Sequence, residues 1–493
     1  MPTRTLSHDR RPQAPWRTRL PLTGLLVALA LMGLCMAVPA VFDWNVRVNS
    51  FPPIHAEWMP RVGVASAVAL VLAGLFGWKA VDLAETLPWG RLLLATYVAA
   101  LAWMLALALL DGTSGLRDVM DDSYEYMNTA RRVTDFPATL AEYVSRISYD
   151  AEPRNWPVHI AGHPPGALAF FVLLVRLGVT DGFEAGLVVS VLAATTPVAV
   201  LCTLRTLGAE QVVRRAAPFL AVGPAAIWMC VSGDALFAAV GAWGLAALAM
   251  AATRRSTGPQ VAWSVVAGLL LGYVVMMSYG LPLLGILCLA VLWLGGAWRP
   301  LPIAAAAAVA VVLSFAAFGF YYWDALPELH DRYWEGVGGR RTPLYWMWGN
   351  LGAFLFSAGP MAGAGIAWLL NDKGRPRLPG NHEPARGHHG ESRQRAADAA
   401  ASRGPALLAR LPRFPRERSP RHAVYVMTLA GILTVLSADL SQMSKAEVER
   451  IWLPFVPWVL LGCALLPERW RRRGVWIQLT AALVIQHLLR TTW

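Results

Sequence analysis

The stretch DDSYEYMNTARRV, residues 121–133, follows a long apolar run and begins a hydrophilic loop. Four carboxylates in and just before this stretch have the i, i+3, i+4, i+7 spacing that lines one face of a helix. They are Asp118, Asp121, Asp122 and Glu125. Because like charges stacked along a helix repel one another, the spacing predicts that something relieves the repulsion.

Two alternatives explain this acidic face. In the first, the face is solvated and neighbouring cations relieve the repulsion, which suits Asp118 and Glu125. The candidate cations are Arg117, Arg131 and Arg132. In the second, the carboxylates at the start of the loop, Asp121 and Asp122, lie near lipid headgroups, and one acts as general base toward an acceptor hydroxyl. We predict no required cofactor, with a divalent cation (Mg²⁺ or Mn²⁺) held by Asp121 and Asp122 as the alternative.

The composition indicates a membrane protein. Of 493 residues, 56% are hydrophobic and 15% are charged, against about 25% charged in soluble domains. Apolar runs near the roughly 20 residues that cross a bilayer recur along the chain. The net charge of +12 resides in short connections and one hydrophilic stretch, which fits topology signals and contact with the lipid bilayer. We therefore expect no nucleic-acid partner.

The apolar runs predict an all-α polytopic fold of about 13 transmembrane helices in the cell membrane. The predicted spans are residues 21–41, 61–78, 91–110, 184–203, 216–232, 234–252, 261–278, 280–297, 301–320, 350–370, 422–437, 451–466 and 474–490. The basic N-terminus, residues 1–20, is then cytoplasmic. A transmembrane domain covers 21–370, a disordered basic cytoplasmic loop covers 371–421, and C-terminal transmembrane helices cover 422–493.

This topology puts polar groups together on the non-cytoplasmic face. They lie in loops 111–162, 321–349 and 438–450 and at Asp234. The apolar run at 163–178 is short for a span. It either crosses, which inverts the later basic connections, or forms a juxtamembrane or re-entrant helix, which leaves those connections cytoplasmic. We favour the second alternative, and we expect the long outer loop to carry such juxtamembrane helices.

Further candidate residues lie in the outer loops. The aromatic-rich loop 321–349 carries Arg340 and Arg341, which fits an interfacial belt or a site that stacks on sugars and binds phosphate. The charges of Glu447, Glu449 and Arg450 mark a helix end, or Lys445 and Arg450 together hold a lipid phosphate. His163 precedes Pro164 and Pro165 at a rigid helix start, where capping is the alternative explanation. Three residues near the acidic pair complete the predicted substrate-binding set: Tyr124, Glu125 and Arg131.

These motifs together resemble the GT-C superfamily of membrane glycosyltransferases. Its members include protein O-mannosyltransferases, aminoarabinose transferases and actinobacterial arabinosyl- and mannosyltransferases. Asp121-Asp122 is similar to the acidic pair of the family's first large outer loop, and His163-Pro164-Pro165 resembles its His-Pro-Pro segment. Residues 449–454, ERIWLP, resemble its late charged element. One departure is that spans 21–41 and 61–78 both precede the loop, where the family usually has one helix.

The resemblance implies a glycosyltransferase with a GT-C-like fold and an active site on the outer face. It would move a sugar from a polyprenyl-phosphate donor to a cell-envelope glycan, lipid or protein. Asp121 or Asp122 would be the base, His163 would orient a substrate, and Arg450 or the Arg340–Arg341 pair would neutralise the phosphate. The alternatives are a transporter or flippase for lipid-linked sugars and a structural or signalling membrane protein.

Overall fold

A computed structural model describes residues 15–48, 51–370 and 419–491. The described chain is helical apart from one two-stranded ribbon, so the predicted all-α fold is confirmed. The predictions for the N-terminus (1–20) and the basic loop (371–421) fall mainly on residues 1–14 and 371–418, which lie outside the described residues.

Seven helical segments are long and apolar enough to cross a membrane. They are Arg19–Val41, Val64–Thr86, Trp89–Asp111, Gly182–Thr206, Gly233–Thr253, Thr257–Val275 and Pro420–Leu440. Shorter apolar helices occur at Pro165–Arg176, Leu281–Gly295, Pro300–Ala316 and Val456–Leu465. The bent pair Pro343–Ala358 and Met361–Leu369 adds an eighth segment if it is one span. A polytopic membrane protein follows, and the count of about 13 spans stays a prediction.

The other helices are short or polar. They are Ser114–Asp121, Tyr126–Ala130, Phe136–Ala141, Val158–Gly162, Glu210–Val213, Ala217–Ala221, Ala226–Met229, Tyr322–Glu335, Val337–Arg340, Val448–Ile451 and Glu468–Leu488. Short 3₁₀ helices cover Leu109–Asp111, Val144–Arg146 and Arg214–Ala216. The region predicted as loop 321–349 is thus largely helical.

Proline and glycine break two of the predicted spans. The segment 216–232 forms only the short helices Ala217–Ala221 and Ala226–Met229, separated by Gly223 and Pro224. The predicted span 350–370 is two helices at an angle of 106°. They meet at Gly359, whose φ is 77°, and at Pro360. A left-handed glycine followed by a proline ends a helix.

The four carboxylates of the opening stretch do not share one helix face. The helix Ser114–Asp121 ends at Asp121, and Asp122 has an extended ψ of 146°. The Asp122 side chain accepts a hydrogen bond from the backbone N–H of Tyr124 at 2.8 Å, an Asx-type turn that competes with helix continuation. The chain therefore changes direction, and the prediction of a single acidic face across Glu125 is wrong.

The polar segments gather at two opposite ends of the bundle. Arg61 precedes the Val64–Thr86 helix and Glu85 lies in its last turn, so the two are separated by the length of a helix, about 35 Å. At the end near Glu85, Arg471 contacts Glu85 and Arg214 donates to backbone carbonyls. The other end holds loop 111–162 and is called the outer end below. That this end faces outward stays a prediction.

The helix Pro165–Arg176 returns to the end at which it begins. His163, just before it, contacts Tyr126, and the carbonyl of Thr180, just after it, accepts from Arg131 at 2.8 Å. Twelve residues span about 18 Å, well short of the hydrocarbon core of roughly 30 Å. The short length and the return of the chain favour a juxtamembrane or re-entrant helix over a full crossing, and its position in the membrane stays a prediction.

A short antiparallel ribbon joins distant parts of the chain at the outer end. Strand Ala56–Trp58 pairs with strand Leu489–Thr491, and Glu57 lies opposite Arg490. The second strand follows directly from the Glu468–Leu488 helix. The ribbon thereby attaches the loop after the first helix to the last described residues.

Candidate active site

A buried ionic cluster lies at the outer end and centres on Arg450. Its Nη1 atom lies 3.5 Å from Oε1 of Glu125 and 3.3 Å from Oδ2 of Asp234, and its Nη2 atom lies 3.4 Å from Oε2 of Glu447. The side chains of Arg450, Glu125 and Asp234 are at most 3% exposed. One guanidinium thus joins three carboxylates that come from three separate parts of the chain.

His159 is a fourth side chain in contact with Arg450. Its Nδ1 lies 3.0 Å from Oε1 of Glu125, and its Nε2 lies 3.3 Å from Nη2 of Arg450. His159 belongs to the short helix Val158–Gly162. Asp234 is in the first turn of the Gly233–Thr253 helix, whose start is capped by the Ser232 hydroxyl. The loop 111–162 and a membrane helix therefore meet at buried charges.

The cluster controls the charge state of two glutamates. Burial raises the pKa of Glu125, but the charges of His159 and Arg450 lower it by more, so its net pKa lies below the ordinary value. Burial likewise raises the pKa of Glu447, and Arg450 and His55 reverse that shift to leave it lowered. Both glutamates are therefore ionised at neutral pH.

Glu449 behaves in the opposite way although it lies two residues from Glu447. Burial raises the pKa of Glu449 to about 7, and the negative charge of Glu447 adds to this shift. Its carboxylate accepts from the backbone N–H of His55 at 3.4 Å. Glu449 thus fastens the loop that precedes the first ribbon strand.

Arg341 extends the ionic cluster toward the first outer loop. Its Nη1 lies 3.5 Å from Oε1 of Glu447, and its Nη2 lies 3.1 Å from Nε2 of His55. It also donates to the backbone carbonyls of Arg47 and Lys445. Arg341 is buried and its guanidinium is occupied by these contacts, whereas its neighbour Arg340 is exposed. The two arginines therefore do not form a joint anion site.

His163 lies beside the cluster in contact with Tyr126. The Tyr126 hydroxyl and His163 Nδ1 are 2.5 Å apart, and the same nitrogen is 3.0 Å from the carbonyl of His159. Burial lowers the pKa of His163 to about 3, with His159 and Arg450 adding to the shift. His163 is therefore neutral at physiological pH and holds the start of the Pro165–Arg176 helix against Tyr126.

Asp121 is held in an ion pair. Its Oδ1 lies 2.5 Å from Nη2 of Arg131, and Arg131 also donates to Asn128 and Thr180. The Asn128 amide donates to the backbone carbonyl of Asp121 at 2.6 Å. Gly182 packs so closely that a Cβ there would lie 2.5 Å from Oδ2 of Asp121. Asp121 therefore has little freedom to rotate.

Asp122 faces a different environment, an acidic cavity of about 340 Å³. The charged residues that line this cavity are Glu57, Asp111, Asp118, Asp122 and Arg490. Gln486 also lines it, is 4% exposed, and has a side-chain oxygen without a hydrogen-bond partner among the described residues. The lining is rich in acceptors, which suits a ligand with several hydroxyl or other donor groups.

A polar cleft of about 610 Å³ opens on the other side of the same segment. It is lined by hydroxyl and amide side chains, by three arginines and by two carboxylates: Ser123, Asn128, Thr129, Thr134, Thr139, Asn155, Arg132, Arg146, Arg154, Asp135 and Glu142. Arg146 is fixed over the Trp156 ring at 3.5 Å and pairs with Glu142 at 2.7 Å. Arg132 and Arg154 are exposed. The segment 121–134 thus separates a cleft from a cavity.

The two adjacent aspartates do not fit a shared metal ion. The Asp121 carboxylate lies against Arg131 and Gly182, whereas the Asp122 carboxylate bonds to the Tyr124 N–H and lines the cavity. Among the described residues, no group of three or more His, Cys, Asp or Glu side chains could hold a metal. We therefore derive no step through a metal ion.

The structure brings together some of the predicted site residues and separates others. Glu125 meets Arg450, and Asp121 meets Arg131, but Glu125 is buried rather than solvated. Tyr124 is exposed beside Asp122. Sequence reasoning missed His159 and His55. His159 stands four residues before His163 in HIAGH, the spacing of neighbours on one helix face, and this was an available signal.

Comparisons with known proteins give one structural similarity. No family model matches the chain, and no curated protein matches it. The chain is similar to a crystal structure of the Archaeoglobus fulgidus oligosaccharyltransferase in complex with zinc and sulfate, at 12% identity and a TM-score of 0.39. The match covers 81% of this chain and 54% of that one. The chain thus spans just over half the length of that oligosaccharyltransferase.

Proposed function

We propose that this protein is a membrane glycosyltransferase that moves a sugar from a polyprenyl-phosphate donor to a cell-envelope acceptor. The observation that carries the proposal is the position of Asp122. Its carboxylate is exposed and lines an acceptor-rich cavity, and the next residue, Ser123, lines the polar cleft. A carboxylate between two cavities can act between two substrates, one in each.

Of the two predicted bases, we propose Asp122. Its neighbour Asp121 is bound to Arg131 and packed against Gly182, so its oxygens are less accessible to an acceptor hydroxyl. Asp122 keeps one oxygen toward the Tyr124 N–H, which leaves the other available. We propose that Asp121 and Arg131 hold the segment in place, with Tyr124 beside the acceptor.

The proposed step is a direct displacement. The acceptor hydroxyl attacks the anomeric carbon of the donor sugar while Asp122 takes the hydroxyl proton. The bond between the anomeric carbon and the phosphate oxygen breaks, and the polyprenyl phosphate leaves with the electron pair. Resemblance to the GT-C superfamily implies inversion at this carbon. General-base assistance of this kind contributes typically 10²–10⁴-fold.

The ionic cluster would hold the loops that form the two cavities. Arg450 already contacts Glu125, Asp234 and Glu447, so the surrounding negative charge disfavours a further phosphate at this guanidinium. We propose that Arg450, Arg341 and Glu449 are positioning residues. Arg340 is exposed and free to meet lipid headgroups at the outer surface.

The polar cleft suits the acceptor. Hydroxyl and amide side chains match the hydroxyl groups of a glycan, and Arg132 and Arg154 add positive charge beside them. Asn128 lines the cleft and donates to the carbonyl of Asp121. An acceptor bound in the cleft would therefore lie next to the Asp121–Asp122 pair.

A transporter or flippase for lipid-linked sugars is the second candidate. The observation that favours it is the bend of 106° between helices Pro343–Ala358 and Met361–Leu369, because broken helices form substrate sites in transporters. A flippase would move the lipid without breaking the bond between sugar and phosphate.

A membrane assay with radiolabelled polyprenyl-phosphate sugars distinguishes these functions. We expect transfer by the wild type, a loss of at least about 100-fold in Asp122→Asn, and a smaller loss in Asp121→Asn and His163→Ala. Asp150→Asn, which changes an exposed carboxylate of the same outer loop that lines neither cavity, is the matched control. Full activity in Asp122→Asn at equal expression would exclude it as the base. Movement of labelled lipid between leaflets without sugar release would favour the flippase.

A further inference from the structure

The ribbon at the outer end has two chemically different faces. Side chains alternate between the faces of a strand, and residues directly opposite each other in an antiparallel pair share a face. Trp58 lies opposite Leu489, and Glu57 lies opposite Arg490. One face therefore presents Trp58 and Leu489, which are apolar, and the other presents Glu57 and Arg490, which are charged.

The apolar face of the ribbon closes one end of a groove of about 620 Å³. Trp58, Leu489, Phe51, Met36, Leu29 and Trp476 are among the residues that line it. The groove follows the Glu468–Leu488 helix from Trp476 to Leu489, a distance of about 20 Å. Trp58 is 60% exposed and Trp476 is 45% exposed. The groove is thus open to lipid over much of the hydrocarbon thickness.

The charged face of the ribbon belongs to the acidic cavity. Glu57 and Arg490 line that cavity together with Asp122. Arg490 is exposed. Arg61, three residues after the partner strand and close to Asp111, has buried Nη1 and Nη2 atoms without a hydrogen-bond partner among the described residues. Guanidinium groups therefore stand where the groove and the cavity meet.

We propose that the lipid-linked donor binds across this ribbon. Its isoprenoid chain lies in the groove beside Trp58 and Leu489, its phosphate contacts Arg490 with Arg61 behind it, and its sugar ring occupies the acidic cavity. The inference rests on the proposed function for the identity of the donor. It places the phosphate at Arg490 and Arg61 and not at Arg450 or Arg341, which are already bound to carboxylates.

Charge fixes the direction in which such a donor lies. The carboxylates of the cavity repel a phosphate, so the phosphate stays at the ribbon, where the arginines are. A sugar carries hydroxyl donors, and Asp122 and the unpartnered Gln486 oxygen are acceptors. The sugar therefore enters the cavity beyond the phosphate. An ordinary phospholipid carries two hydrophobic chains, so it gains less binding free energy from this single groove.

The test uses the full-length protein in lipid nanodiscs and a polyprenyl monophosphate with a benzophenone on its chain. After illumination, we expect cross-links on residues 29–36 and 476–489. Unlabelled polyprenyl phosphate should compete, whereas polyprenol, which lacks the phosphate, and phosphatidylglycerol should compete at least about tenfold less, as expected for the loss of a charge-assisted contact.

Matched variants locate the phosphate and the chain. Arg490→Gln should weaken phosphate-dependent labelling about tenfold or more, and Arg490→Lys should weaken it less. Arg473→Gln, which changes an exposed arginine near the start of the Glu468–Leu488 helix that precedes the Arg490 strand, should leave labelling unchanged. Trp58→Ala should reduce labelling, whereas Trp78→Ala, which is 67% exposed outside the groove, should not.

Two outcomes separate this inference from the proposed function. Unchanged labelling in Arg490→Gln, or cross-links confined to other helices, would overturn the donor site even if sugar transfer is observed. Phosphate-dependent labelling that is lost in Arg490→Gln would support the site even if no donor in the transfer assay is used, and the proposed reaction would then fail alone.

Discussion

Arg450 and Asp234 form an ion pair of 3.3 Å in which both side chains are at most 3% exposed. Asp234 lies in the first turn of a membrane helix, and Arg450 lies in the short helix Val448–Ile451. Because charges this deeply buried are stable only when paired, the pair fixes how these two parts of the chain approach one another. The contact with Glu125 attaches the long outer loop to the same point.

The first prediction concerns this pair. Arg450→Gln leaves Glu125, Asp234 and Glu447 without their shared cation, and removal of one partner from a buried ionic group costs about 3–5 kcal/mol. We expect a clear fall in the thermal unfolding midpoint of the purified protein. Arg340→Gln changes an exposed arginine and should alter stability by less than about 0.5 kcal/mol. Equal midpoints for the two variants would contradict a structural role of the cluster.

The second prediction uses the opposite pKa shifts of two nearby glutamates. The pKa of Glu449 is raised by burial to about 7, so its contribution to stability is present below its unfolded pKa and is lost as the pH rises through 7. Glutamine does not ionise, so Glu449→Gln removes the destabilisation that the buried carboxylate causes at high pH. We expect the variant to be more stable than the wild type at pH 8, by roughly 3 kcal/mol at most, and similar to it at pH 4.5.

Glu447 provides the control for that experiment. Its pKa is lowered, because Arg450 and His55 outweigh its burial, so its contribution is present above its unfolded pKa and is lost as the pH falls. Glu447→Gln should therefore destabilise the protein at pH 8. A shift of the same sign in both variants would show that the two carboxylates do not differ as described.

The third prediction tests the packing around Asp121. Gly182→Ala would place a Cβ 2.5 Å from Oδ2 of Asp121, and overpacking of this kind typically costs about 1–3 kcal/mol. We expect a less stable protein and weaker sugar transfer, because Asp121 and Arg131 must move apart. Gly258→Ala has no atom within 4 Å of the new Cβ and should be neutral or slightly stabilising. Wild-type activity and stability in Gly182→Ala would argue against this packing.

The fourth prediction assigns the polar cleft to the acceptor. Arg154→Gln and Arg132→Gln remove exposed positive charge from the cleft without a change in the acidic cavity. We expect KM for an anionic glycan acceptor to rise severalfold while KM for the donor stays constant. Asp118→Asn alters the other side and should leave KM for the acceptor unchanged. A rise in KM for the donor alone would place the donor in the cleft.

Local sequence patterns predicted the elements of this fold because each pattern acts over a few residues. The apolar runs gave helices near the expected positions, and His163-Pro164-Pro165 begins the short helix as anticipated. The spans 216–232 and 350–370 were predicted as continuous although each contains a Gly-Pro step, at Gly223-Pro224 and at Gly359-Pro360. In both segments the continuous apolar composition predicted one helix, although the Gly-Pro step breaks it into two.

The candidate site was harder to predict because its contacts join distant segments. Periodicity placed Glu125 with Asp121 and Asp122, but the turn at Asp122 directs Glu125 inward to Arg450. No local pattern specifies that partner. The ion pair between Asp121 and Arg131 is ten residues apart in sequence, and that cation was among those named as neighbours. Long-range pairs become visible only once the chain is folded.

The ribbon has a consequence for the biosynthesis of the protein. Its first strand is translated 431 residues before Leu489 (489 − 58 = 431), which at about 5–20 residues per second takes roughly 20–90 s. During that time the strand Ala56–Trp58 lacks its partner strand, because Leu489–Thr491 has not yet been synthesised. The groove and the acidic cavity share this ribbon as a wall, so the groove is incomplete before residue 489 has been made and the cavity before residue 491 has been made. If the proposed donor site is correct, a nascent chain cannot bind lipid-linked sugar there before the last strand has been made.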